Sequence, residues 1–151
     1  MSQSIEDLIS IRTPGPNDVN FMLDSFIACL SAYTESIVSG MNKQDARQLL
    51  EKMALVALNR IDYSVFIASH KDDSDDIIAF IVGCPKQNHV FFQYTKYAYR
   101  KLGIQRHFLL PMVVDTSEPI TVNWPTKEML KLVRAQRVCV VNQFLEDLLN
   151  V

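Results

Sequence analysis

Apolar residues along the chain switch between two periods, and the switches divide it into elements. Ile9 and Ile11 alternate with Ser10 and Arg12, a short strand pattern closed by Pro14, Gly15 and Pro16, whose fixed and permissive backbones force a turn. Beyond the turn, Met22, Leu23, Phe26, Ile27 and Leu30 recur at three and four, the spacing of one buried helical stripe, and Asn17 or Asp18 is placed to cap its start. After Gly40, Asn42 offers a second cap. Ala46, Leu49, Leu50, Met53, Val56 and Ala57 then carry the helical period to about Arg60.

The middle of the chain changes period. Tyr63 to Ser69 and Ile77 to Cys84 are rich in β-branched and aromatic residues and read as a hairpin around a solvated acidic turn, Lys71 to Asp76. Pro85 to Asn88 turns the chain again into Val90 to Tyr94, so three strands form an antiparallel meander. Gly103 to Leu110 then reads as a helix with Ile104, Phe108 and Leu109 on one face, ending near Pro111 to Val114. Pro119 to Trp124 supplies another strand, and Thr126 caps a helix carrying Met129, Leu130, Leu132 and Val133. Past Arg137 two readings stand. Val138 to Val141 is either a buried strand followed by a short helix through Leu149 or a continuation of the preceding helix, with the strand favoured. Without repeats or low-complexity linkers, residues 1–151 read as one mixed α+β domain.

Composition narrows the class of protein. A chain of 151 residues can bury roughly two-thirds of its unfolded surface, enough for a core that needs no staple. Cys29, Cys84 and Cys139 are odd in number, far apart and set in apolar runs, the pattern of reduced cysteines acting as small hydrophobes. The first residues have neither the basic nor the apolar region of a secretory signal, and no apolar run reaches the length of about eighteen that spans a membrane. A cytoplasmic protein without a membrane partner is therefore expected. The formal net charge of -2 argues against broad binding to nucleic acid. His70, His89 and His107 are dispersed without metal-ligand spacing, so no metal is expected, and Asp72, Asp73, Asp75 and Asp76 lack the spaced ligands and terminal Glu of a calcium loop. Cys84 has no neighbour in sequence that would activate it as a nucleophile.

One segment has a chemical signature. From Gln93 to His107 a strand, a basic turn with a glycine and a helix start follow without interruption. The unbonded N–H groups of a helix's first turn, backed by the helix dipole, attract anions; Gly103 would let the backbone come close, and Arg100 and Lys101 add charge. The same residues also suit an ordinary helix start with solvated charges, and the cluster Lys96, Arg100, Lys101, Arg106 and His107 leaves nucleic acid as a weaker alternative. Among Phe91, Phe92, Tyr94, Tyr97 and Tyr99, strand alternation places about half in the core.

This turn and the order of elements resemble the GNAT superfamily of N-acetyltransferases. The family's pyrophosphate loop has Arg or Gln, two residues, Gly, one residue, then Gly or Ala; Arg100 and Gly103 match its first two fixed positions. Tyr99 before Arg100 fits a frequent Tyr-Arg pair, and Arg12 with Asp18 looks like the family's first strand and helix start. The resemblance spans about Ile9 to Leu132, and its brevity is similar to that of members carried by bacterial viruses. It implies a central mixed, mostly antiparallel sheet flanked by helices and an acetyl-CoA site. The amides of Leu102, Gly103, Ile104, Gln105 and Arg106 would cradle the pyrophosphate, with Tyr94 and Thr95 facing the pantetheine arm and acyl group.

The departures from the family carry expectations of their own. Gln105 stands where the family has Gly or Ala, so its side chain is expected to project into the path of the pyrophosphate. The Glu that often serves as general base has Phe91, Phe92 and Gln93 at its candidate positions, and Leu130 and Val133 occupy those of the usual tyrosine acid. The short tail after the last helix is expected to abbreviate the closing strands. Two functions follow: an acetyl-CoA-dependent N-acetyltransferase acting on a small-molecule or protein amine, or a non-catalytic scaffold of the same fold that binds a protein partner.

Overall fold

The computed structural model describes residues 4–30, 42–122 and 138–140. A short helix α1 (Ile5–Leu8) leads into β1 (Ile9–Arg12); α2 (Val19–Leu30) and α3 (Lys43–Asn59) follow; then β2 (Ser64–His70), β3 (Asp73–Cys84) and β4 (His89–Thr95). A helical segment over residues 104–113, labelled α4, precedes β5 (Ile120–Val122) and β6 (Val138–Val140). The six strands lie in chain order, antiparallel from β1 to β4 and parallel from β4 to β6. The mixed, mostly antiparallel sheet is as expected, and the Val138 segment is a strand. The proposed helix from Thr126 and the segment through Leu149 lie outside the described residues.

The sheet separates two apolar layers. On one face α2 and α3 pack Phe26, Leu30, Leu50 and Met53 against Ile67, Phe80, Phe91 and Phe92. On the other, α1 and α4 cover Ile9, Ile78, Ile81 and Val90 with Ile104, Leu109, Leu110 and Val113 as the most buried contributions of α4. Consecutive Phe91 and Phe92 share one face because β4 carries an extra residue. Val82 faces Phe92 while the next residue, Gly83, faces Val90, so Phe91 bulges out of the ladder. Phe26 then stacks on Phe91 at 5.6 Å and meets Phe92 edge-on at 5.0 Å. About half of the aromatics between Phe91 and Tyr99 are buried, as alternation predicts, but it is the bulge that puts Phe91 and Phe92 on the same face. Gly83 permits the kink, since a Cβ there would lie 2.7 Å from the His89 carbonyl oxygen.

Two local expectations change. The first long helix is entered through a 3₁₀ turn at Pro16–Asp18 with Gly15 as its cap; Asp18, read as a cap, instead reaches back and accepts the Gly15 N–H at 2.6 Å. The acidic turn shrinks to Lys71 and Asp72, because β3 already begins at Asp73. Cross-links hold that extension to the body: Arg12 Nη2 donates to the Ser74 carbonyl at 2.8 Å, and Lys96 pairs with Asp76 at 2.8 Å. α4 ends at Val113 with Val114 as its cap, within the stretch expected, and Pro111 sits in its last turn. The helix widens to a π-turn at Gln105–Leu109, where the Leu110 N–H bonds to the Gln105 carbonyl, relieving the clash a proline ring makes with the turn before it.

Asp18 is a small electrostatic centre. Its side chain, 9% exposed, takes a two-pronged guanidinium from Arg12 at 2.6 and 2.9 Å. That hydrogen bond holds its carboxyl below the usual range against the opposing effect of burial, with the Gly15 N–H assisting. Asp18→Ala leaves Arg12 without its carboxylate partner and is expected to cost about 2 kcal/mol at neutral pH. A depressed carboxyl contributes stability above its unfolded value, about 3.9, and loses it as pH falls through the lower folded value. In urea unfolding, the gap between parent and variant should therefore close on acidification; a gap that stays constant to pH 3 would show the pair to be inert.

Candidate functional site

The site lies beyond the junction of β4 and β5. Asn88, with φ of 51°, fixes their junction: its Nδ2 donates to the carbonyls of Asp115 at 3.1 Å and Pro119 at 2.9 Å, and its Oδ1 accepts the Asp115 N–H at 2.7 Å. β5 is pinned to the start of β4, pairing His89 with Thr121 and Val90 with Val122. A cleft of about 870 Å³ lies between the end of β4 and the start of α4.

All nine candidates from the sequence line this cleft: Tyr94, Thr95, Arg100, Lys101, Leu102, Gly103, Ile104, Gln105 and Arg106. The connection from β4 to α4 shapes its wall. A 3₁₀ turn at Tyr97–Tyr99 is followed by Lys101 and Gly103 in the left-handed region, with φ of 68° and 76°. Alternating such residues with ordinary ones turns successive N–H groups to one side, the geometry of an anion-binding concavity. The first amide here to find a carbonyl is that of His107, on Gly103 at 2.9 Å. The five before it, residues 102–106, bond to no carbonyl or side chain among the described residues. Arg100, Lys101 and Arg106 border them, and among the described residues no carboxylate lines the cleft. The residues therefore suit a phosphate-bearing ligand.

The side chains differ from expectation in three ways. Gln105 does not project into the anion path. Its Nε2 turns inward and donates to the carbonyls of Tyr94 at 2.8 Å and Phe80 at 3.1 Å and to Thr95 Oγ1 at 3.2 Å, because the strand ends present a concentration of acceptors there. Tyr94 offers the cleft its main chain, since its ring packs against Phe21 at 6.0 Å and Phe80 at 5.6 Å on the opposite face. Arg100 is partly committed: its Nε donates to the Thr95 carbonyl at 2.9 Å and its guanidinium lies 5.6 Å from the Tyr97 ring centroid.

Four further lining residues were not among the expected cofactor contacts: Gln93, Tyr97, Tyr99 and His107. Gln93 faces Ile81 across the ladder and so falls on the α4 side of the sheet. It is 7% exposed, and among the described residues its buried Oε1 has no partner, nor has that of Gln105. Helix spacing could have found His107, four residues beyond Gly103, whose Cα it covers. The candidate base positions Phe91 and Phe92 are core residues, and Leu130 and Val133 lie outside the described residues. Among the described residues no cluster of three or more His, Cys, Asp or Glu could hold a metal ion, and no helix is long and apolar enough to cross a membrane.

No protein-family sequence model matches the chain, and no curated protein does. Solved structures do. The PaiA N-acetyltransferase of Thermoplasma acidophilum, in complex with coenzyme A, superposes with a TM-score of 0.52 at 12% identity, over 84% of this chain and 87% of that one. A Staphylococcus aureus protein provisionally assigned to the GNAT acetyltransferase family gives 0.50 at 16% identity, over 85% and 97%. The fold is GNAT-like.

Proposed function

We propose that the cleft binds an acyl-CoA and that the chain is a GNAT-type N-acetyltransferase acting on an amine. The observation that carries this reading is the row of five amides, residues 102–106, that have no partner among the described residues, in a basic cleft between the end of β4 and the start of α4. The amides would take the pyrophosphate, with Lys101 and Arg106 adding charge at its rim. Gln105, folded inward, leaves that path open and holds the Tyr94 and Thr95 end of β4 in place. The main chain of Tyr94 and Thr95 would guide the pantetheine arm. Acetyl-CoA, when bound, supplies an activated thioester. With no carboxylate among the described lining residues, a proton leaving the amine would pass to water.

The bare lining also favours a second reading, a non-catalytic scaffold of the same fold that binds a protein partner. Nucleic acid finds less support, because Lys96 is paired with Asp76 and Arg100 is bonded to Thr95. Calorimetric titration with acetyl-CoA tests the first reading. A micromolar Kd is expected, followed by release of free thiol when a panel of amines is added. Binding without thiol release would move the chain to the scaffold reading, and no binding at millimolar ligand would overturn the cofactor site.

A further inference from the structure

Two tyrosines in the turn after β4 have opposite fates. Tyr99 packs at the edge of the α4-side core, whereas Tyr97 is 85% exposed and borders the cleft. A single exposed aromatic is ordinary on a protein surface. What sets Tyr97 apart is its support. The Arg100 guanidinium lies 5.6 Å from its ring centroid and is itself anchored, through Nε, to the Thr95 carbonyl. One side of the ring thus meets a fixed cation, and the rest of it meets water at the mouth of the cleft. The 3₁₀ turn that carries it is closed by the Tyr99 N–H on the Lys96 carbonyl at 2.9 Å and the Arg100 N–H on the Tyr97 carbonyl at 3.2 Å. The ring is therefore mounted on a bonded turn, beside the five open amides.

We infer that Tyr97 is a stacking shelf for the base of a nucleotide whose phosphates lie on the amides of residues 102–106. The inference rests on the cofactor reading and deepens it: the cleft would select a ligand with a planar base, beyond any phosphate or pantetheine chain. Phosphate alone uses the amides and leaves Tyr97 idle. A base set on the ring adds π-stacking, with Arg100 behind the tyrosine as a preformed cation–π partner. At about 870 Å³ the cleft has room for such a ligand.

The test compares the parent protein, Tyr97→Ala and Tyr97→Trp in calorimetric titrations with acetyl-CoA, ADP and inorganic pyrophosphate. Tyr97→Ala should weaken acetyl-CoA and ADP by roughly five- to a hundredfold and leave pyrophosphate unchanged, the range expected for one base-aromatic stack. Tyr97→Trp should restore both nucleotide ligands. A loss shared equally by all three ligands would mean that Tyr97 only shapes the loop, and unchanged ADP affinity in Tyr97→Ala would mean that the base lies elsewhere; either overturns the shelf while leaving the cofactor site standing. A parent protein that binds neither acetyl-CoA nor ADP overturns both.

Discussion

Gly103→Glu is expected to remove measurable acetyl-CoA binding, a loss of at least about a hundredfold in affinity. Three effects act together. With φ at 76°, Gly103 occupies a region that costs any residue with a Cβ about 1–2 kcal/mol. A Cβ would also sit 2.6 Å from His107 Cδ2, so the imidazole must leave its place over the loop. The decisive effect is charge, because a carboxylate beside the open amides repels the pyrophosphate and can occupy those donors itself. Gly103→Ala separates the contributions. It keeps the backbone strain and the displaced imidazole but adds no charge, and should weaken binding by only about five- to tenfold. Calorimetry beside a thermal melt reads both variants; undiminished binding in a folded Gly103→Glu protein would place the ligand away from this loop.

Gln105→Glu should be the most destabilising of the substitutions considered, by about 3 kcal/mol at neutral pH. The parent amide donates to two carbonyls and a hydroxyl. A carboxylate in the same place has no hydrogen to give and faces the Tyr94 and Phe80 oxygens with like charge. That environment raises the folded-state value of the new carboxyl above its unfolded value of about 4.3. The sign follows: below pH 4 the group is neutral in both states and the deficit is small. As pH climbs past the unfolded value the unfolded chain loses its proton first, and stability falls until the folded carboxyl also ionises. Urea midpoints at pH 4 and pH 7 read the difference. A variant as stable as the parent at both would show that this side chain points to solvent, returning it to the path of the pyrophosphate.

The parts of this molecule that follow from strong periodicity were legible without coordinates. The stripes Met22 to Leu30 and Ala46 to Ala57 became α2 and α3, and Asn42 caps α3 by accepting the Asp45 N–H at 2.8 Å. The nine cleft residues were found together because strand, turn and helix are contiguous, so neighbours in sequence remain neighbours in space. What escaped was set by tertiary contacts. Nothing local shows that Gln105 will turn inward, since the carbonyls that draw it belong to residues 25 and 11 positions away. Nor does composition show that Tyr97 is exposed and Tyr99 packed, because strand alternation stops at Thr95 and a 3₁₀ turn obeys a different period. The cap moved from Asp18 to Gly15 because Arg12, six residues earlier in sequence, claimed the carboxylate.

The extra residue in β4 gives the strand something like a reading frame. Before Phe91 the odd-numbered position is the one that faces α2 and α3; after it the even-numbered positions do, and Gln93 and Thr95 shift to the cleft. Chemistry introduced into this strand must be written in the shifted frame. An acid engineered at Gln93 would arrive beside the open amides, whereas the same acid one position earlier, at Phe92, would be delivered into a stack of aromatic rings. One inserted letter decides whether a new side chain is a reagent or a defect.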